Sequence, residues 1–157
     1  MIRNDAPEIT EHDLTLMRAA LAEAEAAAQN GEVPVGAVVA KDGEILATAH
    51  NRVLETGDPT AHAEILAVRA AAGRIGNYRL IGCDLYATVE PCLMCAGAIV
   101  HARIRRLLYG PPEPKFGGVE SRVALDGLGL PHHLTVVSGV LADEGRELLQ
   151  TFFRDRR

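Results

Sequence analysis

The sequence predicts an α/β protein in which one sheet is covered by helices. Short apolar runs alternate along the chain with segments of helical periodicity. The first two runs flank a tight Asp42-Gly43 turn, so the sheet opens with an antiparallel hairpin. A length of 157 residues, with no internal repeat and no low-complexity linker, fits a single domain over 1–157.

Thr10-Glu11-His12-Asp13 has the shape of a capping box, with Asp13 where Glu is usual. Leu14, Met17, Leu21, Ala24 and Ala28 follow at helical spacing, and Asn30-Gly31 closes that helix. Val33 to Ala40 is apolar without helical period and reads as a buried strand. The chain turns at Lys41-Asp42-Gly43-Glu44 and returns as a second strand from Ile45 to Ala49. A polar loop from Asn51 to Pro59 leads into a helix over Ala61 to Ala72. Asp84 to Val89 reads as a strand, Cys92 to Ala102 as a helix and Arg106 to Tyr109 as a strand. Beyond a Pro/Gly-rich loop from Gly110 to Gly118, Leu134 to Val140 is the fifth strand, and Glu144 to Arg154 is the closing helix. Met17, Met94 and Cys83 are assigned to the core, as is at least one of Phe152 and Phe153; His12 is placed on the surface.

Composition narrows the function classes. With 48% hydrophobic residues the chain is not disordered, and no run of 18 apolar residues is present to span a membrane. The polar, acidic start lacks the basic and apolar regions of a secretory signal, so a cytoplasmic protein is expected. A net charge of −5 excludes a protein that coats nucleic acid non-specifically. The charge is uneven, however. Residues 1–30 carry Asp5, Glu8, Glu11, Asp13, Glu23 and Glu25 against Arg3 and Arg18, whereas 100–122 carry Arg103, Arg105, Arg106, Lys115 and Arg122 against Glu113 and Glu120. A local cationic face is therefore expected.

Two segments stand apart from the fold pattern: Thr60-Ala61-His62-Ala63-Glu64 and Glu90-Pro91-Cys92-Leu93-Met94-Cys95. Two thiolates with an imidazole suit zinc. Cys92 and Cys95, three apart at a helix start, share one face, and the helix N-terminus favours thiolate over thiol. Pro91 fits there because a missing N–H is tolerated at a helix start. Three protein ligands leave the fourth position to water, whose pKa zinc lowers from about 15.7 to roughly 7. Glu64, two residues from His62, is placed to carry a proton from that water to a leaving group. Two other readings compete. A redox Cys-x-x-Cys pair expects a thioredoxin-like order of elements and leaves His62-Ala63-Glu64 without a role. A structural zinc site needs a fourth ligand, for which His50, His101, His132, His133 and Cys83 are available.

The His-x-Glu and Pro-Cys-x-x-Cys pair resembles the signature of the zinc-dependent cytidine and deoxycytidylate deaminase superfamily. Within it the chain is most similar to the bacterial tRNA-specific adenosine deaminase family. The likeness runs through 31–38, 58–65, Asn77-Tyr78-Arg79-Leu80, 90–98, His101-Ala102-Arg103-Ile104 and Phe152-Phe153-Arg154. It implies a three-layer α-β-α fold with a mixed five-stranded sheet. It further implies one Zn2+ per subunit on His62, Cys92 and Cys95, with Glu64 as the proton shuttle and Asn51 hydrogen-bonding a flipped nucleoside. The implied reaction is hydrolytic conversion of adenosine to inosine at the wobble position of a tRNA anticodon loop, by a homodimer with substrate contacts from both subunits.

One stretch departs from the family pattern. Where the family has an Ala-Arg-Asp-Ala-Lys-like loop, this chain reads Pro111-Pro112-Glu113-Pro114-Lys115-Phe116, so Glu113 keeps the acid on a longer arm and Pro112 replaces an arginine. Arg103, Arg105, Arg106, Lys115 and Arg154 are candidate phosphate contacts, each set against an ion-paired surface role. Two alternatives to the tRNA enzyme are a deaminase of a free base or nucleoside (guanine, cytosine or cytidine) and an inactive zinc-stabilised RNA-binding module. The second has no use for Glu64.

Overall fold

The computed structural model describes residues 8–156 and the backbone of Ile2–Arg3; Asp5 and Arg157 lie outside the described residues. The chain runs β1 (Ile2–Arg3), α1 (Glu11–Gln29), β2 (Gly36–Lys41), β3 (Glu44–His50), α2 (Val53–Thr56), α3 (Ala63–Ile75), β4 (Cys83–Ala87), α4 (Leu93–His101), β5 (Arg106–Tyr109), β6 (Leu134–Val137) and α5 (Ala142–Arg154). In the sheet the order is β1-β6-β5-β4-β2-β3. β2 pairs antiparallel with β3 and with β4, while β4, β5, β6 and β1 are mutually parallel. The five expected strands are all present. The short β1 adds a sixth, too brief to show a two-residue periodicity.

Alternate side chains of the strands feed two helical layers, because the side-chain period of a strand is two. Val38 and Ala40 of β2, Tyr86 of β4, Leu108 of β5 and Val137 of β6 pack against Leu16, Met17 and Ala20 of α1. On the other face, Ala37 and Val39, Leu85 and Ala87, Leu107 and Tyr109 join Ala63, Ala67 and Ala71 of α3 and Ala96 and Ile99 of α4. Both faces are covered, so the strands are apolar throughout rather than alternating.

Thr10 and Asp13 form the expected capping box: Thr10 Oγ1 accepts the Asp13 N–H at 3.0 Å, and Asp13 accepts the Thr10 N–H at 3.1 Å. The buried stripe of α1 is rotated from the expected one. Leu16, Met17, Ala20, Ala24 and Ala27 are buried, while Leu14, Leu21 and Ala28 sit at its edge. Small residues line the contact because the backbones approach closely: a Cβ on Gly36 would lie 1.9 Å from Ala20 O.

Three other assignments change. Met94 is exposed on the first turn of α4, while Met17 and Cys83 are core. Neither phenylalanine is fully buried: Phe152 lies beneath the Arg156 guanidinium at 4.0 Å, and Phe153 is exposed. Within the loop after Asn51, α2 forms a single turn whose Leu54 and Glu55 N–H groups donate to the buried Glu32 carboxylate at 3.0 and 2.9 Å.

The topology gathers four connections at one edge of the sheet. These are the segment entering β2, the segment leaving β3 through Asn51 to His62, the segment leaving β4 through Thr88 to Cys92, and the loop leaving β5 from Gly110. Crevices beyond the carboxyl ends of parallel strands are where α/β folds place their chemistry.

Candidate active site

His62 and Cys92 occupy equivalent places, as the N-caps of α3 and α4. Both have extended backbone, and neither side chain caps its own helix. An N-cap side chain ordinarily accepts a backbone N–H; here both turn toward each other. His62 Nδ1 stands 3.6 Å from Cys92 Sγ and 3.5 Å from Cys95 Sγ. Zinc bonds of about 2.0–2.1 Å to nitrogen and about 2.3 Å to sulfur, opened to a tetrahedral angle, separate N from S by about 3.6 Å. The three donor atoms lie within 4.8 Å of one another and thus fit one tetrahedral ion. None of His50, His101, His132, His133 or Cys83 joins that group among the described residues. His50 pairs with Glu23 at 2.7 Å, His132 bonds the Ile104 carbonyl oxygen, and Cys83 is buried in β4. The fourth position is therefore open to a small molecule, as in catalytic zinc sites.

Two helix N-termini converge on the trio, and their dipoles favour negative charge. Cys92 is held down to about 4, chiefly by the hydrogen bond from Cys95, with burial opposing and His62 assisting. Cys95 is pushed up, first by donating a hydrogen bond to Cys92 and then by burial. The hydrogen bond with Cys92 raises His62.

Glu64, in the first turn of α3, is 3% exposed, and its Oε1 has no hydrogen-bond partner among the described residues. Burial pushes its pKa up. An orphaned buried carboxylate oxygen costs stability, so it is retained for something other than folding.

Asn51 supplies the cap that His62 does not. Its Oδ1 accepts the Ala63 N–H at 2.8 Å and its Nδ2 donates to Val33 O at 3.2 Å, which ties the entry to β2 to the start of α3. One Nδ2 hydrogen is left over. Glu113 is half-buried on the loop after β5, and its Oε1 accepts the Lys115 N–H at 2.8 Å. That loop is docked on the metal-site helix: Gly118 N–H donates to Pro91 O at 2.8 Å and Gly117 bridges to Cys92.

Of the five candidate phosphate contacts, Arg105 and Arg106 stand at the opposite end of the sheet. Arg105 binds both oxygens of Asp84 at 3.1 and 2.9 Å, and Arg106 reaches Asp13 at 3.0 Å and Asp84 at 2.8 Å. Arg103 follows α4, and Arg154 lies 3.8 Å from Asp155. Lys115 alone is on the loop beside the site. Glu32 and Glu90, two further buried carboxylates flanking the site, were not singled out by the sequence; both act on backbone distant in the chain, which leaves no local signal.

An α/β sheet with a His-Cys-Cys centre, an open fourth position and an unsatisfied buried carboxylate beside it defines a metal-dependent hydrolytic enzyme. The family model of the cytidine and deoxycytidylate deaminase zinc-binding region matches residues 10–111; the chain belongs to that family and is a hydrolytic deaminase. It is 49% identical over 142 residues to a tRNA-specific adenosine deaminase of Agrobacterium fabrum, covering 90% of this chain and 93% of that one. A solved structure from a study of A-to-I editing by tRNA:A34 deaminases at the wobble position of transfer RNA superposes with a TM-score of 0.80. It is 47% identical and covers 86% of this chain and 99% of its own. A guanine deaminase from Nitrosomonas europaea superposes with a TM-score of 0.79 at 25% identity, covering 95% of this chain and 88% of its own.

Proposed function

We propose that the protein converts adenosine to inosine at the wobble position of a tRNA, releasing ammonia, with Zn2+ on His62, Cys92 and Cys95. The observation that carries the substrate is how far the likeness extends: relatives named tRNA-specific adenosine deaminase are 49% and 42% identical over 90% and 96% of this chain, whereas guanine deaminases are 25% identical over 95% of it or 42% identical over only 62%. The fold alone does not separate the two substrates; identity sustained over nearly the whole chain supports the tRNA reading.

Zinc held by the trio supplies a Lewis acid that acidifies a water at neutral pH. The chain's own residues do the rest. Glu64 Oε1 would accept one proton of the attacking water and pass it to the ring nitrogen beside the target carbon. It would then take the second proton, from the hydroxyl now on that carbon, and pass it to the amine, which leaves as ammonia when the C–N bond breaks. Burial suits the task, since a raised carboxylate pKa makes the proton easier to hold between transfers. Asn51 offers its remaining Nδ2 hydrogen to an acceptor on the base while its other atoms stay fixed. Glu113, on the loop docked against the start of α4, is assigned to the nucleotides flanking the flipped base by the family resemblance of that loop. Extruding a base from a single-stranded loop costs little.

The enzyme acts as one domain, in the cytoplasm, as a homodimer. Leu93 and Met94 on the first turn of α4, and Phe116 on the loop docked against it, are apolar side chains that the monomer leaves exposed, which supports a second subunit covering them. No helix among the described residues is long and apolar enough to cross a membrane.

A side-by-side assay of zinc-loaded protein tests the reading, with an anticodon stem-loop bearing a wobble adenosine against free adenosine, cytidine, guanine and cytosine. Inosine in the stem-loop without turnover of the small molecules is expected. Turnover of a small molecule alone overturns the tRNA assignment and leaves the deaminase mechanism standing.

A further inference from the structure

Glu90 precedes the zinc-ligand segment by two residues and is 2% exposed. It touches none of the three metal-site residues by hydrogen bond among the described residues. Its carboxylate is turned instead to the loop after β5. Oε1 accepts the Glu113 N–H at 3.0 Å and the Ser121 hydroxyl; Oε2 accepts the N–H groups of Val119, Glu120 and Ser121 at 3.1, 2.8 and 3.0 Å. Five donors from one loop converge on one buried side chain. Burial alone would raise its pKa, and those donors outweigh burial and lower it.

The loop is pressed against the backbone of the metal site. A Cβ on Gly118 would lie 2.3 Å from Leu93 N and 2.6 Å from Cys92 C, and one on Gly117 would meet Glu90 itself at 2.4 Å. Glycine is required at both places for the loop to close on the start of α4. The tip of the same loop carries Glu113, Lys115 and the exposed Phe116: an acid, a cation and an aromatic face beside the open metal position. A cation and an aromatic face are the side chains that hold a phosphate and stack on a base.

We propose that Glu90 is a positioning residue: its buried carboxylate sets the conformation of the 113–121 loop, and through it the register of the substrate strand relative to the metal site. The proposal deepens the tRNA reading and rests on it for the substrate. Glu90→Gln keeps the side chain's size but puts an amide donor against backbone donors. The variant is expected to bind zinc at the wild-type ratio and to be cut faster by trypsin after Lys115 and Arg122. Its KM for the anticodon stem-loop should rise about tenfold while kcat changes less than about threefold. Ser121→Ala, which removes one of the five donors, should show the same pattern more weakly and covers the case in which Glu90→Gln fails to fold.

Loss of zinc from either variant would overturn the proposal, since Glu90 would then be supporting the metal ligands. A lower melting temperature with unchanged proteolysis and unchanged KM would also overturn it, as the mark of a merely structural residue. Failure of the wild-type protein to deaminate the stem-loop would sink the substrate reading alone, because zinc content and proteolysis decide the role of Glu90 without a substrate.

Discussion

Three glutamates, Glu32, Glu64 and Glu90, are buried around the site, and their hydrogen bonding separates their roles. Glu32 and Glu90 accept backbone N–H groups with both oxygens, whereas Glu64 keeps Oε1 unpaired next to the metal ligands. Removing Glu64 should therefore cost chemistry and not architecture. Glu64→Ala is expected to lower kcat by about 10²–10⁴, the usual contribution of a positioned proton carrier, while zinc content and melting temperature stay at or above wild type. Retained turnover in that variant would exclude the shuttle role. The grouping of His62 with Cys92 and Cys95, and the burial of Glu64 close by in the chain, were legible in the sequence because these residues fall in two short segments and because soft donors at helix starts have few other uses. Glu32 and Glu90 were not, since their partners lie 22 to 31 residues away. Asn51 was singled out only through family resemblance, as a nucleoside contact; the structure gives its amide a further task, accepting the Ala63 N–H at the start of α3 and donating to Val33 O.

At the scale of elements, the site is a junction of two helix starts held by loops. Two glycines mark contacts with different consequences. Gly118→Ala would push backbone against the Cys92–Leu93 peptide, so zinc affinity, read by chelator competition, should fall roughly tenfold as the ligand helix shifts. Gly36→Ala would force α1 off β2 on the far side of the sheet. It should cost about 1–3 kcal/mol in urea unfolding, as overpacking does, with zinc affinity unchanged. Equal losses of zinc affinity in both would show that the junction is not local. Element types were readable along the chain, and the boundaries moved for physical reasons. Val33 to Val35 read as strand because it is apolar, but its backbone is used to hold Asn51. The stripe on α1 was read from its leucines, whereas the closest packing against Gly36 is made by alanines. The loop at 111–121 carried no periodicity at all; its shape is imposed from outside by Glu90.

Across the whole molecule, the two ends of the sheet divide the work. The carboxyl ends of the parallel strands hold the candidate catalytic groups, and the opposite end holds a charged cluster that joins α1, β4 and β5. There Asp13, 2% exposed, accepts the Tyr86 hydroxyl at 2.6 Å and Arg106 at 3.0 Å, while Asp84 holds Arg105 and Arg106. These arginines, two of the five candidate phosphate contacts read from sequence and each set there against an ion-paired role, tie the helical layer to the sheet. Burial would raise the Asp13 pKa, but Arg106, Tyr86 and the Thr10 N–H outweigh it and hold Asp13 at about 2, against 3.8 when unfolded. A depressed carboxylate contributes stability above its unfolded value and loses it as pH falls toward its folded one. The contribution, about 2 kcal/mol, should thus be complete above about pH 5 and gone near pH 2. Asp13→Asn should be less stable than wild type by about that amount in urea at pH 7, and the gap should narrow steadily below about pH 4. Because the cluster lies at the end of the sheet away from the site, kcat/KM at neutral pH should not change. A gap that persists undiminished at pH 2.5 would mean that Asp13 acts through shape, as a cap for α1, and not through its charge.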